Sequence, residues 1–345
     1  MSEPIILGIE SSCDDTSAAV INGNKILSNI AASQKIHIQY GGVVPELASR
    51  AHQQNIIPVV HQSLQLANIQ QNAISAIGFT RGPGLLGSLL VGTSFAKSLS
   101  MSLNVPLIEV NHLQAHILAH FIEDANPQPP KFPFICLTVS GGHTLIVLVR
   151  DYFDMEIIGK TIDDAAGEAF DKTGKILNLD YPAGPIIDKL AKEGNPDAFK
   201  FNKPNMEGYD YSFSGLKTSI LYFIQKEVKK NENFIQENLN DLCASVQKTV
   251  IDILMKKVEK AAVDFDIKEI AIAGGVSANS ALRKAMQDRK ETLGWSIYIP
   301  KFEYTTDNAA MIAMVAKLKY DRGEFADLSV TATSRYDIEQ DLEKK

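Results

Sequence analysis

The chain carries one short plan twice, and that repetition limits its fold more than any other feature. Ile5 to Glu10 is an apolar run entering the polar tip Ser11-Ser12-Cys13-Asp14-Asp15, and Thr16 to Ile21 is a second apolar run leaving it. About 130 residues further on, Phe134 to Val139 leads into Ser140-Gly141-Gly142-His143, and Thr144 to Val149 leads out. Short apolar runs bounded by turn residues read as strands, so each copy predicts a hairpin with a polar tip. Each is followed by helical stretches and then another short apolar strand, at Ala76 to Thr80 and at Glu269 to Ala273. That order predicts two related lobes of mixed α/β structure.

A chain of 345 residues with 45% hydrophobic content can build two cores of about 100 to 200 residues each. Pro45 to Leu66 and Gly87 to Leu103 read as helices, and Asn126 to Pro133, with its four prolines, reads as the linker. The expected layout gives the first lobe residues 1–125 plus about 308–330 and the second lobe 126–307. A last helix over Asp307 to Asp321 crosses back to the first lobe, and 331–345 forms an irregular polar tail.

No apolar run approaches the roughly 20 residues that cross a bilayer, and Met1-Ser2-Glu3-Pro4 lacks the basic start of a secretion signal. The expectation is a cytoplasmic chain without a membrane partner. Cys13, Cys136 and Cys243 are far apart and have no Cys-x-x-Cys spacing, which argues for reduced thiols and against a cysteine zinc site. The net charge of -7 disfavours broad attraction to nucleic acid. The lysines at 217, 226, 229 and 230, and at 256, 257 and 260, read as solvated helix faces.

His112-Leu113-Gln114-Ala115-His116 sets two imidazoles at i and i+4 in a helix-compatible run, a spacing that lets both rings meet one metal ion. The alternative is two hydrogen-bonded histidines on a half-buried helix. A metal needs a facing carboxylate, and Asp307 in Thr305-Thr306-Asp307-Asn308 is the best candidate; its other reading is a helix cap. A zincin protease would need Glu beside the first histidine to activate water, where this chain has Leu113. His120 continues the row at i+8 but drifts off the seam, so it reads as structural.

Ser140-Gly141-Gly142-His143 has backbone amides that can cradle a phosphate, or it is an ordinary hairpin turn needing positive φ. Ala273-Gly274-Gly275-Val276-Ser277-Ala278-Asn279 follows a strand and opens a helix, where amide donors favour an anion. Together the two loops suggest a nucleotide. Neither is a Walker A or a Gly-x-Gly-x-x-Gly sequence, so a cleft of the actin and sugar-kinase type fits better. Asp171, Gly184 and Asp188 can line a ribose site, with Asp163 and Asp164 as charges at the start of a helix. Asp14 and Asp15, at the first tip, can bind a metal, steer a proton, or close an Asx turn.

Gly8 to Thr16, Gly41 to Arg50, Asn111 to His116, Val139 to Thr144, Phe213 to Lys217 and Gly274 to Val276, in this order, resemble the tRNA threonylcarbamoyladenosine transferase family, formerly called O-sialoglycoprotein endopeptidase. The resemblance covers roughly residues 5 to 325; Asp15 departs from it, because many members carry Glu there. It implies a two-lobed actin-like fold that moves threonylcarbamoyl from threonylcarbamoyl-AMP to the exocyclic amine of the adenosine 3′ of the anticodon in tRNA. It further implies that His112, His116 and Asp307 bind one divalent metal ion, usually iron(II), in some cases zinc or magnesium. Thr138, Val139, Ser140, Gly141, Gly142, Asp171, Gly184, Asp188 and Asn279 would hold the adenylate. No general base is evident from the motifs; Asp14, with Asp15 beside it, is the candidate by location alone. The implied partners are tRNA, a degenerate paralogue of the TsaB type and a small ATPase of the TsaE type. Rival readings are a small-molecule kinase of the same superfamily, which would not use two histidine ligands, and a non-catalytic paralogue, which would lack the metal triad.

Overall fold

The computed structural model describes residues 3–204 and 206–341. The chain divides into two compact units. The first takes in residues up to Pro130, Asp151–Met155 and residues from Pro300 onward; the second takes in Lys131–Arg150 and Glu156–Ile299. The change-over falls at Pro300 instead of near residue 308, so Asp307 belongs to the same unit as the two histidines.

In the first unit, β1 (Ile5–Glu10), β2 (Thr16–Asn22), β3 (Lys25–Ala32), β4 (Ala76–Gly82) and β5 (Leu107–Asn111) form a five-stranded sheet in the order β3-β2-β1-β4-β5. β1 pairs antiparallel with β2 and parallel with β4, and β4 pairs parallel with β5. In the second unit, β6 (Phe134–Val139), β7 (Thr144–Asp151), β8 (Asp154–Lys160), β9 (Glu269–Ala273) and β10 (Ser296–Tyr298) run β10-β9-β6-β7-β8. The second order is the first read from the other edge, with β6 for β1 and β9 for β4. The repeated hairpin is therefore part of a repeated sheet. β1 and β6 are each the middle strand of their sheet and are buried almost throughout, which is why both read as continuous apolar runs and not as alternating ones.

Helices α1 (Pro45–Ala67), α2 (Leu86–Leu103) and α3 (His112–Leu118) follow in the first unit. The second unit supplies α4 (Ala166–Ile176), α5 (Ala183–Ala191), α6 (Ser214–Val228), α7 (Phe234–Glu237), α8 (Leu239–Asp264) and α9 (Ser280–Leu293). The last helix, α10 (Ala309–Asp321), is apolar on almost every side, the mark of a helix enclosed by other elements. Met311, Ile312, Met314 and Val315 are each no more than 1% exposed, and each such burial contributes about 1.5–3 kcal/mol. α10 lies close on the first sheet because two strand positions lack a side chain. A Cβ on Gly8 would meet the Ala309 carbonyl oxygen at 2.7 Å, and one on Gly78 would meet Ala316 Cβ at 2.4 Å.

The segment after Ser329 has no strand and only a short 3-10 turn at Ile338–Asp341, yet Tyr336 and Ile338 are buried. Residues 342–345 of the expected tail lie outside the described residues. No helix among the described residues is long and apolar enough to cross a membrane.

Candidate functional site

In the first unit, β5 ends in Asn111, whose side-chain oxygen accepts from the amides of Leu113 (2.9 Å) and Gln114 (3.2 Å) and so caps α3. The cap starts the helix at His112, which puts His112 and His116 one turn apart and on one face. On the other side, Asn308 caps α10 through the Met311 amide at 3.1 Å, and Ser17 on β2 accepts from the Ala309 amide at 2.8 Å. The capping role considered for Asp307 is thus filled by its neighbour, and Asp307 turns to the histidines. Its Oδ1 lies 3.1 Å from His116 Nε2 and 3.4 Å from His112 Nε2. The two rings meet edge to face, with centroids 4.7 Å apart.

His112 is held from behind. Its Nδ1 lies 3.0 Å from Glu10 Oε2 and 3.2 Å from Ser12 Oγ. Glu10, fully buried at the end of β1, also accepts from the Thr80 hydroxyl at 2.7 Å and from the Ser12 amide. A carboxylate is an acceptor only, so it fixes a proton on Nδ1 and turns Nε2 toward Asp307. His116 Nδ1 is buried with no hydrogen-bond partner among the described residues.

Burial alone would strip His112 of its charge, but the Asp307 and Glu10 carboxylates outweigh it and push His112 up to about 10. Burial, reinforced by the His112 charge, holds His116 below its ordinary value. Against the cost of burial, the two histidines keep Asp307 well below the usual carboxylate range. Such a group calls for a cation. Two imidazole nitrogens and one carboxylate oxygen all lie within 4.8 Å of one another, and among the described residues this is the one group of three or more His, Cys, Asp or Glu side chains that meets as a metal site would. The donor set fits a divalent ion with coordination positions left open.

Asp14 and Asp15 do not join that group. Burial, then the charges of Asp14 and Asp307, push Asp15 up to about 6. The tip that carries them is braced by His52, whose ring bridges Thr16 Oγ1 (2.8 Å) and the Cys13 carbonyl (3.0 Å). His120 is paired with Asn126 at 2.9 Å, a structural bond.

In the second unit, the tip after β6 is packed from two sides by glycines that admit no side chain. A Cβ on Gly274, which has φ +84°, would meet the Val139 carbonyl oxygen at 2.5 Å, and one on Gly167 would meet the Ser140 carbonyl oxygen at 2.6 Å. Thr138 and Val139 have fully buried side chains, so only their backbone can face a ligand. Ser140 Oγ accepts from the amides of Gly142 (3.3 Å) and His143 (3.0 Å), so this turn satisfies two of its own donors. Gly141, Gly142, Gly184 and Gly275 have open space where a Cβ would stand, and none adopts a positive φ. The positive φ expected of an ordinary turn at Gly141 and Gly142 is absent.

The polar residues of this unit meet at helix starts. Asp171 on α4 accepts from the Ala183 amide of α5 at 2.8 Å, and burial raises its pKa despite that bond. Asp188 on α5 accepts from the Ser280 amide (3.1 Å) and hydroxyl (2.7 Å) of α9. Asn279 caps α9 through the Ala281 and Leu282 amides and donates to Gln247 Oε1 at 2.7 Å. Beside the Asn279–Gln247 pair and Ser280 is a cavity of about 550 Å³ whose lining includes Gln247, Ser280, Lys284 and Arg289. Asp163 is displaced from its expected role: it accepts from the Phe213 amide at 2.8 Å and the Ser214 hydroxyl at 2.8 Å, and so serves the start of α6 instead of α4.

The family model for tRNA N6-adenosine threonylcarbamoyltransferase (TsaD) matches residues 25–314. A Riemerella anatipestifer protein of that name is 80% identical over 338 residues, 98% of this chain and 99% of the relative. A Porphyromonas gingivalis protein of the same name is 60% identical over 336 residues, covering 97% and 98%. Among solved structures, full-length HypF in its phosphate- and nucleotide-bound form superposes with a TM-score of 0.61 at 13% identity, over 94% of this chain and 48% of HypF. The Clostridium difficile activator of 2-hydroxyisocaproyl-CoA dehydratase with bound ADPNP gives 0.51 at 12% identity, over 94% and 98%. At such identities these structures speak to fold alone, and the fold is the duplicated, actin-like and sugar-kinase-like one.

Proposed function

Because the chain belongs to the tRNA N6-adenosine threonylcarbamoyltransferase family, and so is an acyltransferase that modifies tRNA, we propose that it moves threonylcarbamoyl from threonylcarbamoyl-AMP to the N6 amine of the adenosine 3′ of the anticodon. The tRNAs are those that read codons beginning with adenine, and the setting is the cytoplasm. The observation that carries this reading is the convergence of His112, His116 and Asp307, with Glu10 behind His112.

An adenine N6 is a weak nucleophile because its lone pair is delocalised into the ring, so the acyl carbon must come activated and held in place. In the adenylate, N6 attacks the carbamoyl carbon, the bond from that carbon to the phosphate oxygen breaks, AMP leaves with the electron pair, and N6 loses a proton. Gly141, Gly142, Gly184 and Gly275 support the adenylate site: neither φ nor packing demands glycine there, whereas close approach by a ligand does. Thr138 and Val139 would contribute backbone groups, Ser140 its hydroxyl, and Asp171, Asp188 and Asn279 polar contacts. A divalent ion, iron(II) in our reading, with zinc or magnesium as alternatives, supplies Lewis acidity for an acyl or phosphate oxygen. Of the two tip carboxylates, Asp15 is the better proton acceptor, since its pKa of about 6 lies nearer the working range than an ordinary aspartate's.

A chain with a net charge of -7 does not attract tRNA broadly, which supports partners that share the RNA surface: a TsaB-type paralogue and a TsaE-type ATPase. Exposed Ile57 and Leu66 on α1 and Leu86, Leu90 and Met101 on α2 support a protein partner on the first unit. The test is to incubate the chain and these partners with threonylcarbamoyl-AMP and unmodified tRNA, then digest the tRNA and weigh the nucleosides. Modified adenosine that disappears in His112→Ala supports the proposal; none with the parent chain, or full activity in His112→Ala, defeats it.

A further inference from the structure

We infer that the segment 331–338 is a strap that positions the metal-binding helix, so that the tail is part of the catalytic apparatus and not a polar trailer. The inference rests on the reading that His112, His116 and Asp307 hold a divalent ion.

The strap grips two places in the first unit. At the end of β4, Arg81 donates through Nε to the Thr331 carbonyl at 3.1 Å, and its own carbonyl accepts from the Thr333 amide at 2.9 Å. The Arg81 guanidinium lies over the Tyr336 ring, 4.7 Å from its centroid, and is itself anchored to Glu109 at 2.6 Å. The tail backbone passes so close that a Cβ on Gly82 would meet the Thr333 carbonyl oxygen at 2.1 Å. At the start of α3, Asn111 Nδ2 donates to the carbonyls of Tyr336 (3.1 Å) and Asp337 (3.3 Å), and Gln114 Nε2 donates to that of Ile338 (3.2 Å).

Asn111 is the joint. One side of its amide caps α3 and the other holds the tail, and both Asn111 and Gln114 are fully buried. His112 is the next residue. A buried amide that loses its acceptors must turn or stay unpaired, so release of the tail alters the cap and with it the first metal ligand. Asn111 and Tyr336 are therefore positioning residues.

Two measurements test this on the full chain. Cobalt(II) serves as the probe, its visible absorption reporting the geometry of the site. In Asn111→Ser, which keeps a capping oxygen but loses the tail bonds, and in Tyr336→Ala, we expect the cobalt Kd to rise about 10-fold or more with an altered absorption band, as for outer partners of metal ligands. Tyr336→Phe, which keeps the ring under Arg81 but loses the hydroxyl bonded to the guanidinium, should bind cobalt more tightly than Tyr336→Ala. The second measurement needs no variant. Coupling is reciprocal, so cobalt must slow hydrogen exchange of tail amides such as Thr333 in the parent chain. Unchanged exchange in the tail, or variants that melt earlier yet bind cobalt as the parent does, overturn the inference and leave the metal site standing. A parent chain that binds no cobalt overturns the reading of the cluster, and the strap with it.

Discussion

Glu10 Oε2 stands 3.0 Å from His112 Nδ1 across 102 residues of sequence, a fully buried carboxylate that no apolar strand would carry for packing alone. Its other acceptor positions are filled by the Thr80 hydroxyl and the Ser12 amide, so it has one orientation to offer the ring. Glu10→Gln keeps the shape but can place an N–H donor against Nδ1, which favours the tautomer or ring turn that spoils Nε2. Metal affinity should fall about 10- to 100-fold, as is usual for outer-shell partners. A calorimetric titration with zinc checks it; an unchanged Kd would mean that Ser12 and Asp307 set the ring without the Glu10 charge.

The charge on His112 sets a pH dependence. Its folded pKa of about 10 lies above the ordinary 6.5, so in the metal-free protein protonation stabilises the fold below about 6.5, and that contribution is lost as pH rises toward 10. The cation competes with the same proton, and its affinity runs the other way, rising by up to about tenfold per pH unit between pH 7 and 10. Binding at pH 7 should release about one proton, since His116, lowered by burial, is already neutral. Titrations in buffers of different ionisation enthalpy count it, and zero release contradicts the assignment.

Much of this was open to a reader of the sequence alone. The paired hairpins are legible because each is a local pattern, two apolar runs around a polar tip, and the histidine spacing is legible because a helix turn is local too. Asp307 can be singled out only by asking what a histidine pair lacks. Glu10, Ser12 and Asn111 are not legible as site residues: each acts on a partner in another element or on a tail more than 200 residues away, and no short-range signal marks that. Asp163 shows the same limit. Its charge does belong at a helix start, but the helix is the one that begins 51 residues later.

Gly78 measures how tightly α10 is seated. Gly78→Ala should destabilise the protein by about 1–3 kcal/mol through overpacking, because its Cβ meets Ala316 Cβ at 2.4 Å and nothing else closer than 3.6 Å. Adding Ala316→Gly removes the clash at a cost of about 1 kcal/mol in helix propensity and should recover most of any larger loss. Chemical denaturation of the two variants decides it; no recovery in the double variant would place the strain elsewhere.

Gly184→Ala and Gly141→Ala should separate stability from binding. Both positions have ordinary φ and open space, so alanine costs the fold nothing and should stabilise it by about 0.4–1 kcal/mol. The KM for threonylcarbamoyl-AMP should nonetheless rise about tenfold, which is about 1.4 kcal/mol of lost binding. Thermal melts beside steady-state kinetics show the split. An unchanged KM would remove these glycines from the donor site.

The repeated strand order makes Glu10 and Val139 counterparts: each is the last residue of the middle strand of its sheet, with a turn and an antiparallel return strand behind it. At one the chain keeps a buried acid and follows it with acidic residues; at the other it keeps valine and follows it with Ser-Gly-Gly. The backbone is thus close to symmetric while the chemistry is antisymmetric, one copy carrying acids at its tip and the other small, uncharged residues. A duplicated scaffold of this kind can keep both halves folding on the same packing rules while the two tips diverge without competing for the same residues.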